Sequence, residues 1–223
     1  MRVQTVHRYR FDQLSRYLAV CGVLAPVAII SFVLMGASVT PGYSHITDTI
    51  SKLASPGAPH PEWMNAGFIS YGVLMICLSF AVRRCLPQRA GNTAVWLMIV
   101  IHGVGIILAA VFPYDLSIID GIHSVEGILH HLVSIMSCVA FIISMLIIDR
   151  IVSAEPEWRT VTRLSFLAIF VVYVLFVLSL FPVVREIEGA LQRASALAMI
   201  TYIEALSLRC LTLSKAFSSI SNN

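Results

Sequence analysis

Six apolar stretches, each long enough to cross a lipid bilayer, constrain this chain more than any other feature. A transmembrane helix needs about 20 predominantly apolar residues. Windows of that kind, bounded by charge, proline or glycine, are Tyr17–Val39, Trp63–Val82, Thr93–Phe112, Ser124–Ile148, Arg163–Val183 and Gly189–Leu211. The runs are continuous rather than alternating in polarity, which excludes a membrane β-barrel. The sequence therefore predicts an all-α integral membrane protein with six transmembrane helices in one bundle.

The composition excludes the soluble and the disordered classes of protein. Of the 223 residues, 58% are hydrophobic and 12% are charged, whereas a soluble domain has about 45–50% apolar and about 25% charged residues. A chain this apolar lacks the polar surface that a soluble fold exposes and the charge that keeps a disordered chain in water. A lipid bilayer is its expected environment.

Lys and Arg are distributed unequally between the two sides of the predicted bundle. Twelve of the 15 lie before the first span, in or bordering the second and fourth connections, or at and after the end of the sixth span. Because cytoplasmic segments carry this excess, we expect a multi-pass protein of the cell membrane with both termini in the cytoplasm. The predicted organisation is a cytoplasmic segment at 1–16, a six-helix transmembrane domain at 17–212 and a cytoplasmic tail at 213–223. The sequence has no basic stripe interleaved with aromatic residues, so it predicts no nucleic-acid partner.

The first outer connection, residues 40–62, contains a segment with helical periodicity. Apolar and polar residues recur on opposite sides at spacings of three and four. They are Ile46, Ile50 and Leu53 on the apolar side and His45, Asp48 and Lys52 on the polar side. The pattern predicts a short interfacial helix at the membrane surface, which Ser44 caps and Pro56 ends.

This predicted helix has two interpretations. In the first it only covers the bundle, and Asp48 and Lys52 form an ordinary i,i+4 ion pair. In the second it is a lid whose His45, Asp48 and Ser51 point down into a site. No nucleophile-elbow motif accompanies these residues.

Polar side chains also mark the start of the fourth span. At 100° per residue, five of them fall within an arc of about 80°. They are His123, Glu126, His130, Ser134 and Ser137. Because ionisable groups at membrane depth face a protein interior or a wet cavity, we expect this stripe to point into the bundle. Asp115 and Asp120 precede it on the same side.

Together these segments predict an outward-facing polar pocket. Its expected ligand-binding residues are His45, Asp48, Ser51, Asp115, His123, Glu126 and His130. We expect a hydrogen-bonded network without a cofactor. The alternative is bound zinc, with Asp48, Asp115 and His130 as candidate ligands, because imidazole and carboxylate groups suit that metal. No HExxH signature is present.

Two further ionisable residues lie deep in the predicted membrane region. His102 in the third span and Glu204 in the sixth are each about 12–14 Å from the inner boundary at 1.5 Å per residue. They are expected to form an intramembrane pair. The pair is either a structural contact between helices or a proton relay.

Three runs of residues carry a family resemblance. They are PGYSHITDTISKLASPGAPHPEWMNAGFISYG at residues 41–72, FPYD at 112–115 and EGALQR at 188–193, with a His-rich helix start between the last two. With these runs the chain resembles the bacterial and archaeal membrane-protein family known as domain of unknown function 998 (DUF998). The resemblance covers essentially the whole chain and implies a six-helix integral membrane protein, but no reaction.

A more distant likeness is to the DRAM/Frag superfamily. The matching positions are Ile50 and Ser51, residues 56–61, Asp115 and His123. That likeness implies an association with lipid remodelling and membrane homeostasis. It is an analogy at the level of the fold.

Three functions are compatible with these patterns. The first is binding of a lipid headgroup or small polar ligand in the outer pocket, with membrane lipids as partners. The second is a metal-dependent intramembrane lipid hydrolase, although the HxxxH pair of ceramidase-type enzymes is absent. The third is a small proton-coupled transporter that uses His102 and Glu204, although no inverted repeat or broken-helix pair is visible.

The charge distribution predicts the outcome of a topology experiment. Reporter fusions placed after Asn223 should give a cytoplasmic signal, because the positively charged flanks stay inside. Fusions in the first connection should report from the opposite side. An extracellular signal after Asn223 would reverse the orientation and move the histidine-rich end to the cytoplasm.

Overall fold

The computed structural model describes residues 13–115, 124–179 and 181–221, and this part of the chain is helical without strands. Six helices are long and apolar enough to cross a membrane. They are α1 (Gln13–Ser38), α2 (Pro61–Cys85), α3 (Asn92–Val111), α4 (Val125–Val152), α5 (Arg159–Ser179) and α6 (Glu188–Ser221). Short 3₁₀ helices occur at Ile50–Ala54, Pro156–Trp158 and Pro182–Ile187. The predicted all-α class with six spans is confirmed.

The helix bounds differ from the predicted spans mainly at the last two helices. The fifth helix ends at Ser179, four residues before the predicted Val183. A 3₁₀ helix starts instead at Pro182, whose ring cannot continue an α-helix. The sixth helix continues through Ser221, so part of the predicted tail is helical.

The helices pack in a ring that follows the order of the chain over its first four members. The first helix contacts α2 and α6, while α2 contacts α3 and α3 contacts α4. The fifth packs chiefly on α6 and meets α4 along a much shorter interface. Large apolar side chains such as Phe166 and Tyr173 on α5 remain exposed, as expected for a surface that contacts lipid.

Small residues set the close approach of the helices. An added Cβ at Gly72 would lie 2.5 Å from the Gly103 carbonyl oxygen, and one at Gly103 would lie 2.7 Å from that of Gly72. The backbones of α2 and α3 are therefore in direct contact. Close backbone contact of this kind lets apolar helices associate in lipid through van der Waals packing.

This contact predicts a difference between two Gly→Ala substitutions. Gly103→Ala should destabilise the fold by about 1–3 kcal/mol, because the new methyl group overpacks the α2–α3 interface. Gly36→Ala is the matched control, since its Cβ would meet Leu53 only at an ordinary 3.5 Å. It should be neutral or gain up to about 1 kcal/mol of helix propensity. Chemical unfolding in detergent measures both, and equal effects would contradict the proposed packing role.

Candidate functional site

The first connection is docked on the start of α6, at the end of the bundle that we call the motif end. This end carries residues 39–60, 112–115 and 181–187, which follow α1, α3 and α5. The Ala190 amide donates to the Ile46 carbonyl at 2.9 Å, and the Ile50 amide donates to Oε1 of Gln192 at 2.6 Å. The sequence runs YSHITDTIS and EGALQR therefore contact each other directly.

Arg193 provides most of the polar contacts between these two segments. Its Nη1 donates to the carbonyls of His45, Asp48 and Gly189 at 2.8–2.9 Å. Its Nη2 donates to the Tyr43 hydroxyl, and the guanidinium lies over the Tyr43 ring at 5.6 Å. One cation thus satisfies irregular backbone that secondary structure leaves without partners.

Asp48 stabilises the turn inside the first connection. Its carboxylate accepts from the Ser44 amide at 2.9 Å and from Nζ of Lys52 at 2.5 Å. Burial acts to raise the pKa of Asp48, but the bonds from Lys52 and Ser44, with nearby Arg193, hold the pKa below its usual range. The carboxylate is consequently an ionised structural group, and the predicted i,i+4 ion pair is present.

The predicted interfacial helix is not confirmed in the expected form. The Ser44 hydroxyl does accept from the amides of Ile46 and Thr47. The chain then forms a turn and the 3₁₀ helix Ile50–Ala54, whose Leu53 and Ala54 are buried. The segment is therefore packed into the bundle instead of lying flat on its surface.

The packing of this 3₁₀ helix brings Ser51 to His130 on α4. The Ser51 Oγ lies 3.0 Å from Nε2 of His130. On the other side of the ring, Nδ1 lies 2.8 Å from the Phe112 carbonyl and 3.0 Å from the Ala109 carbonyl. His130 is 2% exposed, so water does not replace these contacts.

These contacts fix which ring nitrogen carries the proton. A carbonyl oxygen only accepts, so Nδ1 of His130 is the donor and Nε2 of the neutral ring accepts from the Ser51 hydroxyl. The Ala109 carbonyl needs such a donor, because the residue four positions later is Pro113, which has no N–H. The ring of His130 thus supplies the hydrogen-bond donor that the carbonyls at the end of α3 need.

A second histidine in the bundle has the same arrangement. Nε2 of His102 lies 3.1 Å from the Tyr71 hydroxyl, and its Nδ1 lies 3.2 Å from the Ser137 carbonyl. Both ring nitrogens are therefore occupied. Glu204, the predicted partner of His102, is half-buried on α6, and the hydrogen bonds of the His102 ring go to Tyr71 and Ser137 instead.

Ser51, together with Tyr71 and His102, borders a cavity of about 200 Å³ inside the bundle, and His130 lies behind Ser51. Its polar lining consists of Ser51, Tyr71, His102, Ser134 and Gln192. The remaining walls are apolar and come from α1, α2, α3, α6 and Ile50. None of the predicted carboxylates lines this cavity. Its lining is amphipathic, because these few uncharged polar side chains stand among apolar walls.

The other predicted site residues lie at the rim of the motif end. The carboxylate of Asp115 accepts from the Ser124 amide at 2.8 Å and so supports the start of α4. Glu126 is exposed there rather than turned into the bundle, since it stands in the first turn of α4, and His45 is exposed on the first connection. The predicted residues Asp120 and His123 lie outside the described residues.

Each of the three candidate zinc ligands is hydrogen-bonded to protein groups in the structure. Asp48, Asp115 and His130 are engaged by the first connection, the start of α4 and the end of α3 respectively. Over the described ranges no three His, Cys, Asp or Glu side chains are grouped so that they could hold a metal ion. The zinc hypothesis stays a prediction.

Residue patterns alone missed three members of this arrangement. In the sequence Arg193 is marked only by its charge, and Gln192 and Tyr43 only by their place in the two runs that carry the resemblance. Their partners lie about 150 residues away in the chain, as in the contact of Arg193 with Tyr43. The one available signal was the resemblance, because it singled out both runs together.

Fold and site define a six-helix membrane protein whose sequence motifs meet at one end. The family described as Protein of unknown function (DUF998) matches residues 23–209. The chain belongs to this family, as the sequence predicted. No curated protein and no solved structure matches the chain. The likeness to the DRAM/Frag superfamily stays a prediction.

The burial of His130 predicts the effect of replacing it. His130→Leu should lower stability by about 1–3 kcal/mol, because the Ser51 hydroxyl and the carbonyls at the end of α3 lose their partner. His60→Leu is the control, since His60 is about half exposed and contacts only exposed Glu62. Thermal unfolding in detergent compares the two, and small, equal shifts would rule out a structural network around His130.

Proposed function

We propose that this protein binds a membrane lipid at the motif end, with an acyl chain inside the bundle and the headgroup at the rim. The observation that carries the proposal is an apolar cavity within the spans into which a few polar groups face. Ligand sites for amphiphiles have this character, with apolar walls and a small number of polar groups that orient the ligand.

The path for an acyl chain runs between α1 and α6. A groove of about 280 Å³ there is lined by Ile30, Val33 and Leu197 among other apolar residues. It shares Ile29, Ile50, Ala196 and Ile200 with the cavity, so the two volumes adjoin. A lipid tail could enter this groove sideways from the bilayer without crossing a polar surface.

Two polar side chains in the cavity have unused hydrogen-bonding groups. Gln192 turns its Oε1 to the Ile50 amide, which leaves its NH₂ group without a partner among the described residues. The Ser134 hydroxyl likewise has no partner within that part of the chain. Both groups can donate a hydrogen bond at the cavity, so they favour a ligand with oxygen acceptors.

The rim supplies groups that suit an anionic headgroup. His45 and Arg193 line the groove at the motif end. The Nε of Arg193 is a buried donor without a partner in the described ranges. A guanidinium N–H is a strong donor to phosphate oxygens. An anionic phospholipid therefore fits best, with its phosphate near Arg193 and a chain along α1 and α6.

We further propose that the motif end faces the outside of the cell membrane. The support is the excess of Lys and Arg in the segments at the opposite end. In this orientation the lipid would come from the outer leaflet. The Asp115 and Glu126 carboxylates at the rim would then lie at the outer surface of the bilayer.

Filling the cavity tests the lipid-binding proposal. Ala196 lines both cavity and groove, so Ala196→Trp should block the acyl path. Ala194→Trp is the matched control on the same helix, because Ala194 is exposed. Native mass spectrometry with added dioleoyl phosphatidylglycerol should show one retained lipid on wild type and on Ala194→Trp. At least about tenfold less lipid, a loss of 1.4 kcal/mol, is expected on Ala196→Trp.

Two outcomes decide the proposal. Equal lipid retention by all three proteins would contradict it, since lipid on the outer surface would then account for the signal. If Ala196→Trp fails to fold, Ala196→Leu provides a smaller obstruction that should lower retention in the same direction.

A further inference from the structure

We propose that Ser51 and His130 are a nucleophile and a general base that hydrolyse the ester bond of an acyl lipid. The inference rests on the lipid binding proposed above and adds a reaction at the same site. Its basis is the Ser51 hydroxyl, which lines the cavity with the Gln192 amide and has the His130 imidazole as its hydrogen-bond partner. No metal ion is required.

The imidazole of His130 is already oriented as a base. Its Nδ1–H is directed to the carbonyls of Phe112 and Ala109, which keeps the Nε2 lone pair toward Ser51. A nucleophile needs a base within hydrogen-bond reach and a third group that orients the base. Here two backbone carbonyls at the end of α3 take the orienting role.

Ser51 and Ser137 both have an imidazole partner, but the Ser137 hydroxyl also donates to the His102 carbonyl. Ser55 in the same segment donates to the Lys52 carbonyl, and Ser38 and Ser79 also donate to carbonyls three positions earlier. Ser51 contacts only the imidazole among the described residues. Its proton therefore has a basic nitrogen as its acceptor in place of a carbonyl oxygen.

Ser51 lies next to the place where the ester of a lipid bound in this way would be. Ser51 lines the cavity, while Arg193 lies at the rim of the adjoining groove. The neighbouring Ile50 lines both volumes. With a phosphate near Arg193 and a chain in the groove, the glycerol ester falls between them, beside the 3₁₀ helix that carries Ser51.

Gln192 can stabilise the charge that the reaction develops. Its carbonyl oxygen is held by the Ile50 amide, so its NH₂ group is the free part of the side chain at the cavity. A fixed donor beside the nucleophile stabilises the oxyanion of a tetrahedral intermediate. The Ser134 hydroxyl lines the same cavity and offers a second donor.

The reaction then proceeds in two balanced steps. Ser51 Oγ attacks the ester carbonyl carbon while Nε2 of His130 takes the hydroxyl proton; the carbon–alkoxy bond breaks, and the alcohol leaves with that proton. The acyl group is now an ester on Ser51. Water attacks this ester as His130 takes a water proton, the bond to Oγ breaks, and Ser51 regains the proton as a carboxylic acid leaves.

An alkyl fluorophosphonate probe tests the nucleophile directly on the full-length protein in lipid nanodiscs. Attack by Oγ forms a phosphorus–oxygen bond and expels fluoride, and peptide mass spectrometry locates the adduct. We expect the adduct on Ser51 of wild type and none on that peptide in Ser51→Ala. His130→Gln should slow labelling by about 100-fold or more, since loss of a general base has that effect.

Ser55→Ala is the matched control, because Ser55 is buried in the same segment but contacts only a backbone carbonyl. It should be labelled at the wild-type rate. Absence of an adduct on Ser51 of folded wild type would overturn the inference without depending on any variant. Labelling of His130→Gln at the wild-type rate would also overturn it.

Lipid retention separates this inference from the proposed function. Both readouts, retained dioleoyl phosphatidylglycerol and labelling of Ser51, are taken on wild type and on Ala196→Trp. If the lipid is retained and displaced by Ala196→Trp while Ser51 takes no probe, binding stands and hydrolysis is wrong. If Ser51 is labelled but no variant changes lipid retention, the lipid-binding proposal is wrong, and with it the acyl-lipid substrate.

Discussion

The need to satisfy backbone polar groups close to the membrane governs the motif end of this protein. Helices satisfy their own N–H and C=O groups, but the first connection is irregular and packs into the bundle. Arg193 donates to carbonyls of that connection, and Gln192 accepts from one of its amides. His130 does the same for the last carbonyls of α3. The positions of the Ser51 hydroxyl and of the cavity depend on these contacts.

The six spans were predictable because each is encoded by a local run of apolar residues. The direction of His130 was also predictable, since a helical stripe of polar residues must face protein at that depth. Glu126 is exposed although the stripe predicted that it faces the bundle, because the first turn of a helix lies close to the surface and can expose a carboxylate at little cost. The pairing of His102 with Glu204 was inferred from depth alone, and depth does not determine which faces of two helices meet.

The partners across the chain were beyond the reach of sequence patterns. The contact of Ser51 with His130 joins residues 79 positions apart, and that of Ile50 with Gln192 joins residues 142 apart. Neither has a periodicity or spacing that identifies it. Pro113 illustrates this limit. Because Pro113 has no N–H, the sequence shows that the Ala109 carbonyl needs another donor. It does not show that His130 is that donor.

The docking of the first connection on α6 has a consequence for biosynthesis. The chain emerges from the ribosome from its N-terminus, so residues 43–50 are made long before Gln192 and Arg193. Until the start of α6 is in place, the carbonyls of His45 and Ile46 lack the donors that Arg193 and Ala190 supply. The contacts that dock the first connection therefore form only after the start of α6 has been made, so this end of the bundle is completed late in biosynthesis.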